Sequence, residues 1–152
     1  MTKISFYQVK TITLEKALIQ ILNKAYLAKI NTLVVTGSSD RTEMLDDLLW
    51  TFDKESFLPH GTLRDPEPQK QAILICDNID NQNSATLLVL VDGTYIELVN
   101  DFDRCIDIFD GRIAEQIDEA ENRILKRSNQ GHEINKFEQD NNGKWVSNNH
   151  GQ

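Results

Sequence analysis

Thr32-Leu33-Val34-Val35-Thr36-Gly37-Ser38-Ser39-Asp40-Arg41-Thr42-Glu43 passes from an apolar run, through a glycine-serine break, into the start of a helix. Thr32 to Thr36 shows no apolar–polar alternation, the pattern of a strand covered on both faces, as strands of parallel sheets are. Gly37-Ser38-Ser39 ends that strand. Asp40 and Glu43 have the spacing of a capping box, so a second helix is expected to open there, with Leu45, Leu48 and Leu49 as its buried face. A strand of this kind needs helices above and below it, and the rest of the chain supplies the parts.

Upstream, Ile4 to Val9 (ISFYQV) is β-branched and aromatic and reads as a strand. Leu14, Ala17, Leu18, Ile21, Leu22 and Ala25 then recur at three and four, on one face of a helix running to about Lys29, with Thr13 placed to cap it. Downstream, Ala72 to Cys76 (AILIC), Ala85 to Val91 (ATLLVLV) and Cys105 to Phe109 (CIDIF) are further apolar strands, the last two closed by Asp92-Gly93 and Asp110-Gly111. Residues 62–71, with Pro66 and Pro68, and the Asn/Asp-rich 77–84 read as loops. A long helix is expected from about Arg112 to Asn129, with the stripe Ile113, Ile117, Ala120 and Ile124. The tail HEINKFEQDNNGKWVS holds an Asn-Asn-Gly turn between two short β-like pieces, the mark of a terminal hairpin. Strands alternating with helices give an α/β sandwich on a mostly parallel sheet of five strands. With no internal repeat and no long linker, residues 1–147 are expected to form one domain and 148–152 a frayed tail.

Composition narrows the function. The 152 residues are 39% hydrophobic and 26% charged, enough for a core without staples. Sixteen Lys and Arg against 24 Asp and Glu give a net charge of −8. A uniformly basic grip on nucleic acid is excluded, because neutralising phosphates takes clustered cations. Cys76 and Cys105 belong to no CxxC pair, so neither a zinc ribbon nor a redox site is written here. The N-terminus lacks the pattern of a secretion signal and the apolar runs are too short to span a bilayer, so the expectation is a soluble cytoplasmic protein with free thiols and no membrane partner.

Catalytic motifs are missing from the sequence. Gly37 to Asp40 lies where phosphate loops sit, but it has one glycine and no lysine, so the backbone cradle and the cation of a Walker A loop are both lacking. No G-x-G-x-x-G occurs. His60, His132 and His150 fall in no metal or nucleophile motif; His60, after Pro59, reads as a loop residue bonded to backbone. Most of the aspartates sit at strand ends and turns, where they cap backbone groups. A nucleotide-binding enzyme built on Gly37 to Asp40 is the reading these absences weigh against.

Two features point to partners. Trp50, Phe52, Phe57 and Leu58 crowd a polar, proline-ended segment; they form either local core or an exposed aromatic patch of the kind that anchors proteins. In the last helix, Arg123 and Arg127 border the isoleucine stripe, Arg112 falls on the same side, and Lys126 lies further round. A row of arginines beside an apolar groove suits a ligand with a carboxylate and a hydrophobic end. The alternative is a solvated face on which Asp118 and Glu119 pair with these bases.

Leu45-Asp46-Asp47-Leu48-Leu49-Trp50-Thr51-Phe52 followed by Ser56-Phe57-Leu58-Pro59-His60-Gly61 resembles the signature of the bacterial DNA polymerase III chi subunit family. Ile4 to Tyr7, Leu88 to Gly93, Arg104 to Gly111, Gly131 to Glu133 and Asn142 to Trp145 agree in order, so the likeness covers nearly the whole chain. The resemblance implies a Rossmann-like three-layer fold without nucleotide-binding residues, and a non-catalytic accessory subunit with no cofactor and no metal. It implies pairing with the psi subunit, and through psi with the clamp-loader complex. It also implies capture of the acidic, phenylalanine-ended tail of single-stranded DNA-binding protein, so that chi links the replicase to coated lagging-strand template. Nucleic acid would be met only indirectly or weakly, in the cytoplasm at the nucleoid-associated replisome. Psi binding carries over to Trp50, Phe57, Leu58 and Pro59, and tail binding to Phe109, Arg123, Ile124, Lys126 and Arg127. Glu121 stands where the family is usually basic and Ile124 where it is aromatic, which leaves open a chi-like adaptor without tail binding.

Overall fold

The computed structural model describes residues 2–51, 58–97 and 99–147. Its framework is one sheet of eight strands, β1 (Lys3–Val9), β2 (Thr32–Val35), β3 (Gly61–Thr62), β4 (Ile73–Cys76), β5 (Leu87–Val91), β6 (Arg104–Asp110), β7 (Glu133–Gln139) and β8 (Trp145–Ser147). The order is β3-β4-β2-β5-β6-β1-β7-β8, every pair parallel except the hairpin β7–β8. The five expected strands are all present. The count rises to eight because a two-residue strand joins one edge and the terminal hairpin extends the other. The two-residue strand had no pattern to betray it. The hairpin pairs with β1, a long-range choice that no local period encodes.

Among the described residues three α-helices cover this sheet: α1 (Leu14–Leu27), α2 (Ser39–Thr51) and α3 (Ala114–Asn129). Thr13 caps α1 as its sequence position foretells, accepting from the Lys16 N–H at 3.1 Å. At α2 the expected Asp40 capping box does not form. Ser38 takes the role, its hydroxyl accepting from the Arg41 N–H at 3.1 Å. The Gly37 turn is closed by its own side chains: Thr36 Oγ1 donates to the Ser38 carbonyl at 2.8 Å and meets Thr42 Oγ1 at 2.7 Å. The last helix begins at Ala114, so Ile113 lies outside it and is exposed, while Ala120 is buried with Ile117 and Ile124 packed beside it.

The core divides by face. Val34, Val89, Ile106 and Ile108 meet Leu18 and Leu22 of α1 and Leu45 and Leu49 of α2 on one side. Leu33, Leu88, Phe6 and Phe109 meet Ala120, Ile117 and Ile124 of α3 on the other. The terminal hairpin is tied down by Gln139, whose side-chain oxygen accepts from the N–H groups of Lys10 and Thr11 at 2.9 and 3.0 Å. Gly143, at φ +80°, closes its turn where a Cβ would be strained. The expected tail, 148–152, lies outside the described residues.

Both thiols are inside. Burial pushes Cys105 up to about 12, with Asp107 adding to the rise and Arg127 opposing it, and burial raises Cys76 as well. Because the folded-state value is raised, this contribution to stability is whole below the ordinary thiol value of 9.0 and is lost as pH climbs toward about 12. In iodoacetamide at about pH 8, the native protein is expected to stay unlabelled at both cysteines and to label at both in urea. Rapid labelling of Cys105 in the native protein would contradict this interior.

Candidate functional site

β1, β6 and β7 lie side by side, and α3 crosses one face of them. Along β6 the side chains of Cys105, Asp107 and Phe109 point toward α3 and those of Ile106 and Ile108 away, as strand alternation requires. Beyond α3 toward β7 the sheet is less covered. There a cavity of about 220 Å3 opens, lined by Phe6, Phe109, Ile117, Ala120 and Ile124, with Glu121, Lys136 and Phe137 at its sides. Phe109 and Ile124, named from sequence as one wall, do share this groove. Phe6, Lys136 and Phe137 were not foreseen. Their presence depends on β1 being seated between β6 and β7, where Phe6 and Lys136 are register partners on the face toward α3, while Phe137, next along β7, turns its ring to the other face against Tyr7.

The arginines differ from the expected open row. Arg123 is buried and forks onto the equally buried Asp107, Nε to Oδ2 at 2.8 Å and Nη2 to Oδ1 at 3.0 Å. Burial pushes the Asp107 carboxyl up from its ordinary range, while the Arg123 hydrogen bonds and the charge of Arg127 pull it back. The Arg123 guanidinium also lies 6.0 Å from the centre of the Phe109 ring, so it backs the apolar wall from within. Arg127, only 2% exposed, donates to the carbonyls of Ile96 and Glu97 at 2.6 and 3.2 Å and sits 4.2 Å from the Tyr95 ring centre. Lys126 is set 5.0 Å from the same ring. Arg112 is held by Asp110 at 2.9 Å. Neither Asp118 nor Glu119 is the partner of Arg123; a strand carboxylate is. The sequence carried a signal for it, since Asp107 alternates in phase with Cys105 and Phe109, and a carboxylate on an interior face requires a cation.

The aromatic stretch lies at the C-terminal end of α2. Trp50 is 53% exposed, with its ring 4.7 Å from that of His60. His60 is buried. Its Nδ1 lies 2.7 Å from the Leu58 carbonyl, and its Nε2 lies 3.2 Å from the Asp46 carbonyl and 3.1 Å from the Asp46 carboxylate. That contact with backbone is the role foreseen for it. Leu58 is buried and Pro59 half-buried. Phe52 and Phe57 lie outside the described residues.

The turn at Gly37, where phosphate loops sit in α/β folds, is closed by Thr36, Ser38 and Thr42, and the apolar groove lies against α3. The model of the DNA polymerase III chi subunit family (HolC) matches residues 1–135. A protein of Rickettsia prowazekii (strain Madrid E), named "Probable DNA polymerase III subunit chi", is 32% identical over 152 residues, covering 95% of this chain and 91% of the relative. The chain belongs to the DNA polymerase III chi subunit family. It is thereby a member of a family of accessory subunits of the replicative polymerase.

The Arg123–Asp107 fork is a structural pair by this geometry, and its loss leaves an uncompensated charge. Arg123→Ala is expected to lower stability by about 3–5 kcal/mol in urea unfolding, and Asp107→Ala by a similar amount. The double replacement Arg123→Met with Asp107→Leu is expected to be far milder. A single Arg123→Ala variant as stable as the parent protein would refute the buried pair.

Proposed function

We propose that this chain is a non-catalytic chi subunit, a single Rossmann-like domain over residues 1–147 acting in the cytoplasm at the replisome. It pairs with a psi subunit at the end of α2 and holds the phenylalanine-ended tail of single-stranded DNA-binding protein in the groove against α3. Psi in turn joins it to the clamp-loader complex. The observation that carries the tail reading is the groove itself: an apolar floor of Phe6, Phe109, Ile117 and Ile124 with Lys136 on its border. The terminal ring enters beside Phe109 and Ile124, and its carboxylate meets Lys136 from β7; Lys126, which lies over Tyr95 and outside the groove lining, acts on the tail only at longer range. Arg123 and Arg127 act from behind, fixing the helix that forms the wall. For psi, the support is the exposed Trp50 at the head of the LW…SFLPHG block, with Phe57, Leu58 and Pro59 following it in sequence.

A second reading, a chi-like adaptor without tail binding, is favoured by Glu121, a carboxylate on the groove lining where an acidic tail would have to lie. Fluorescence anisotropy of a labelled acidic tail peptide decides between the two. Under the first reading the peptide binds, loses affinity when its final Phe is removed, and weakens as salt is raised. Glu121→Lys is then expected to tighten it roughly two- to fivefold, the size of one half-exposed charge pair. Trp50→Ala is expected to leave the peptide unaffected and to weaken psi co-purification by roughly tenfold or more. No peptide binding with psi pairing intact establishes the second reading. Failure of both in a folded protein overturns the adaptor altogether.

A further inference from the structure

On the opposite face of the sheet, between α1 and the terminal hairpin, lies a second and larger cavity of about 360 Å3. Its floor is aliphatic, with Ile21, Ala25 and Ile106, and Tyr7 and Trp145 wall it on the hairpin side. Tyr7 is braced there, stacked on Phe137 at 5.0 Å and met edge-on by Trp145 at 4.9 Å. Two cations stand at its rim, Lys24 from the last turn of α1 and Arg104 from the start of β6. No Asp or Glu among the described residues lines it, although the chain carries 24 of them.

Neither cation is neutralised by an ion pair among the described residues. Arg104 acts on the Tyr7 hydroxyl, opposing the rise that burial gives it. The carboxylate in its row of the sheet, Glu133, is taken by Lys3 at 3.4 Å. An aliphatic pocket of this size suits a small ligand, and its rim calls for an anion. Its supply of neutral hydrogen-bonding side chains is small, Gln20, Tyr7 and the Trp145 indole N–H, so a nucleobase or sugar would bury polar edges without partners.

We infer that this cavity is a binding site for a small carboxylate with an apolar body, the hydrocarbon against Ile21 and Ile106, the aromatic wall at its side, and the carboxylate on Arg104 and Lys24. The site is separate from the groove against α3 and from Trp50, although Phe137 in β7 borders both cavities.

The chain has two tryptophans, one in the cavity wall and one at the end of α2, so the two indole N–H signals in a proton–nitrogen correlation spectrum report separately on them. Trp145→Phe assigns them. Titration of the full chain with hexanoate, octanoate and neutral octanol is expected to shift the Trp145 signal saturably. Affinity should rise about fourfold per methylene. Octanol should bind about tenfold more weakly than octanoate, the worth of one charge-assisted contact. Arg104→Gln, at an exposed position, should remove that tenfold preference and leave octanol binding unchanged; Lys24→Gln, also exposed, should lower octanoate affinity less. A Trp145 signal that does not move, a response of Trp50 alone, equal binding of octanoate and octanol, or an unaltered preference in both charge variants would each overturn the assignment. None of these readouts involves psi or a tail peptide, so they stand apart from the replication reading.

Discussion

Asp107 puts a carboxylate on the interior face of a strand that lies between β5 and β1, in a layer of apolar side chains. Such a group is untenable there without a cation held at hydrogen-bond distance. The fork from Arg123 supplies it and, in doing so, fixes the rotation of α3 about its own axis. With Arg123 turned inward, Ala120 and Arg127 must also face the sheet, since they lie three before and four after it. Glu121, Leu125 and Lys126 are then what the helix shows to solvent or to the groove. One ion pair therefore decides which residues of α3 are available to a partner.

The second constraint is width. Eight strands at about 4.8 Å make a sheet roughly 34 Å across, whereas two packed helices cover only about 20 Å. The helix layer cannot reach both edges. On the α1–α2 face the uncovered part is the hairpin side, where Tyr7, Phe137 and Trp145 pack against one another to fill the step. On the other face α3 alone leaves the groove beside β7. Both cavities arise because the terminal hairpin widens the sheet after the helices have been placed. The C-terminal strands shape both cavities for that reason, although most of their own residues are half-buried or exposed.

The legible parts of this fold are those whose information is local. An unbroken apolar run such as TLVVT declares a strand covered on both faces, and the α1 stripe declares its buried side, because strand and helix periods are written in neighbouring residues. What was hidden depends on pairing at a distance. Gly61–Thr62 is a strand only because β4 lies beside it, and the seat of β1 between β6 and β7 brings Phe6 and Lys136 into a groove with Phe109. The arginines of α3 were misplaced for a related reason. Ile113, Ile117, Ala120 and Ile124 make a plausible stripe on their own, but the tertiary demand of Asp107 shifts the buried face round to Ala120, Arg123 and Arg127. Ser38 displaced Asp40 as cap by the smallest of margins, a two-residue shift of the helix start.

Charge then sets the style of recognition. The molecule carries a net −8, and its field beyond a Debye length of about 8 Å is screened at physiological salt. An anionic ligand gains no long-range attraction from such a body. It is held only where a cation stands at contact distance and an apolar surface adjoins it. The two cavities share this composition, Lys136 beside phenylalanines on one face and Arg104 with Lys24 beside aromatic and aliphatic walls on the other. Binding of this kind is set by the apolar fit, with the single charge selecting among molecules that already fit. The excess of carboxylates over cations favours that selectivity, because an anion gains little from contact with a surface of this composition unless a pocket offers something more than charge.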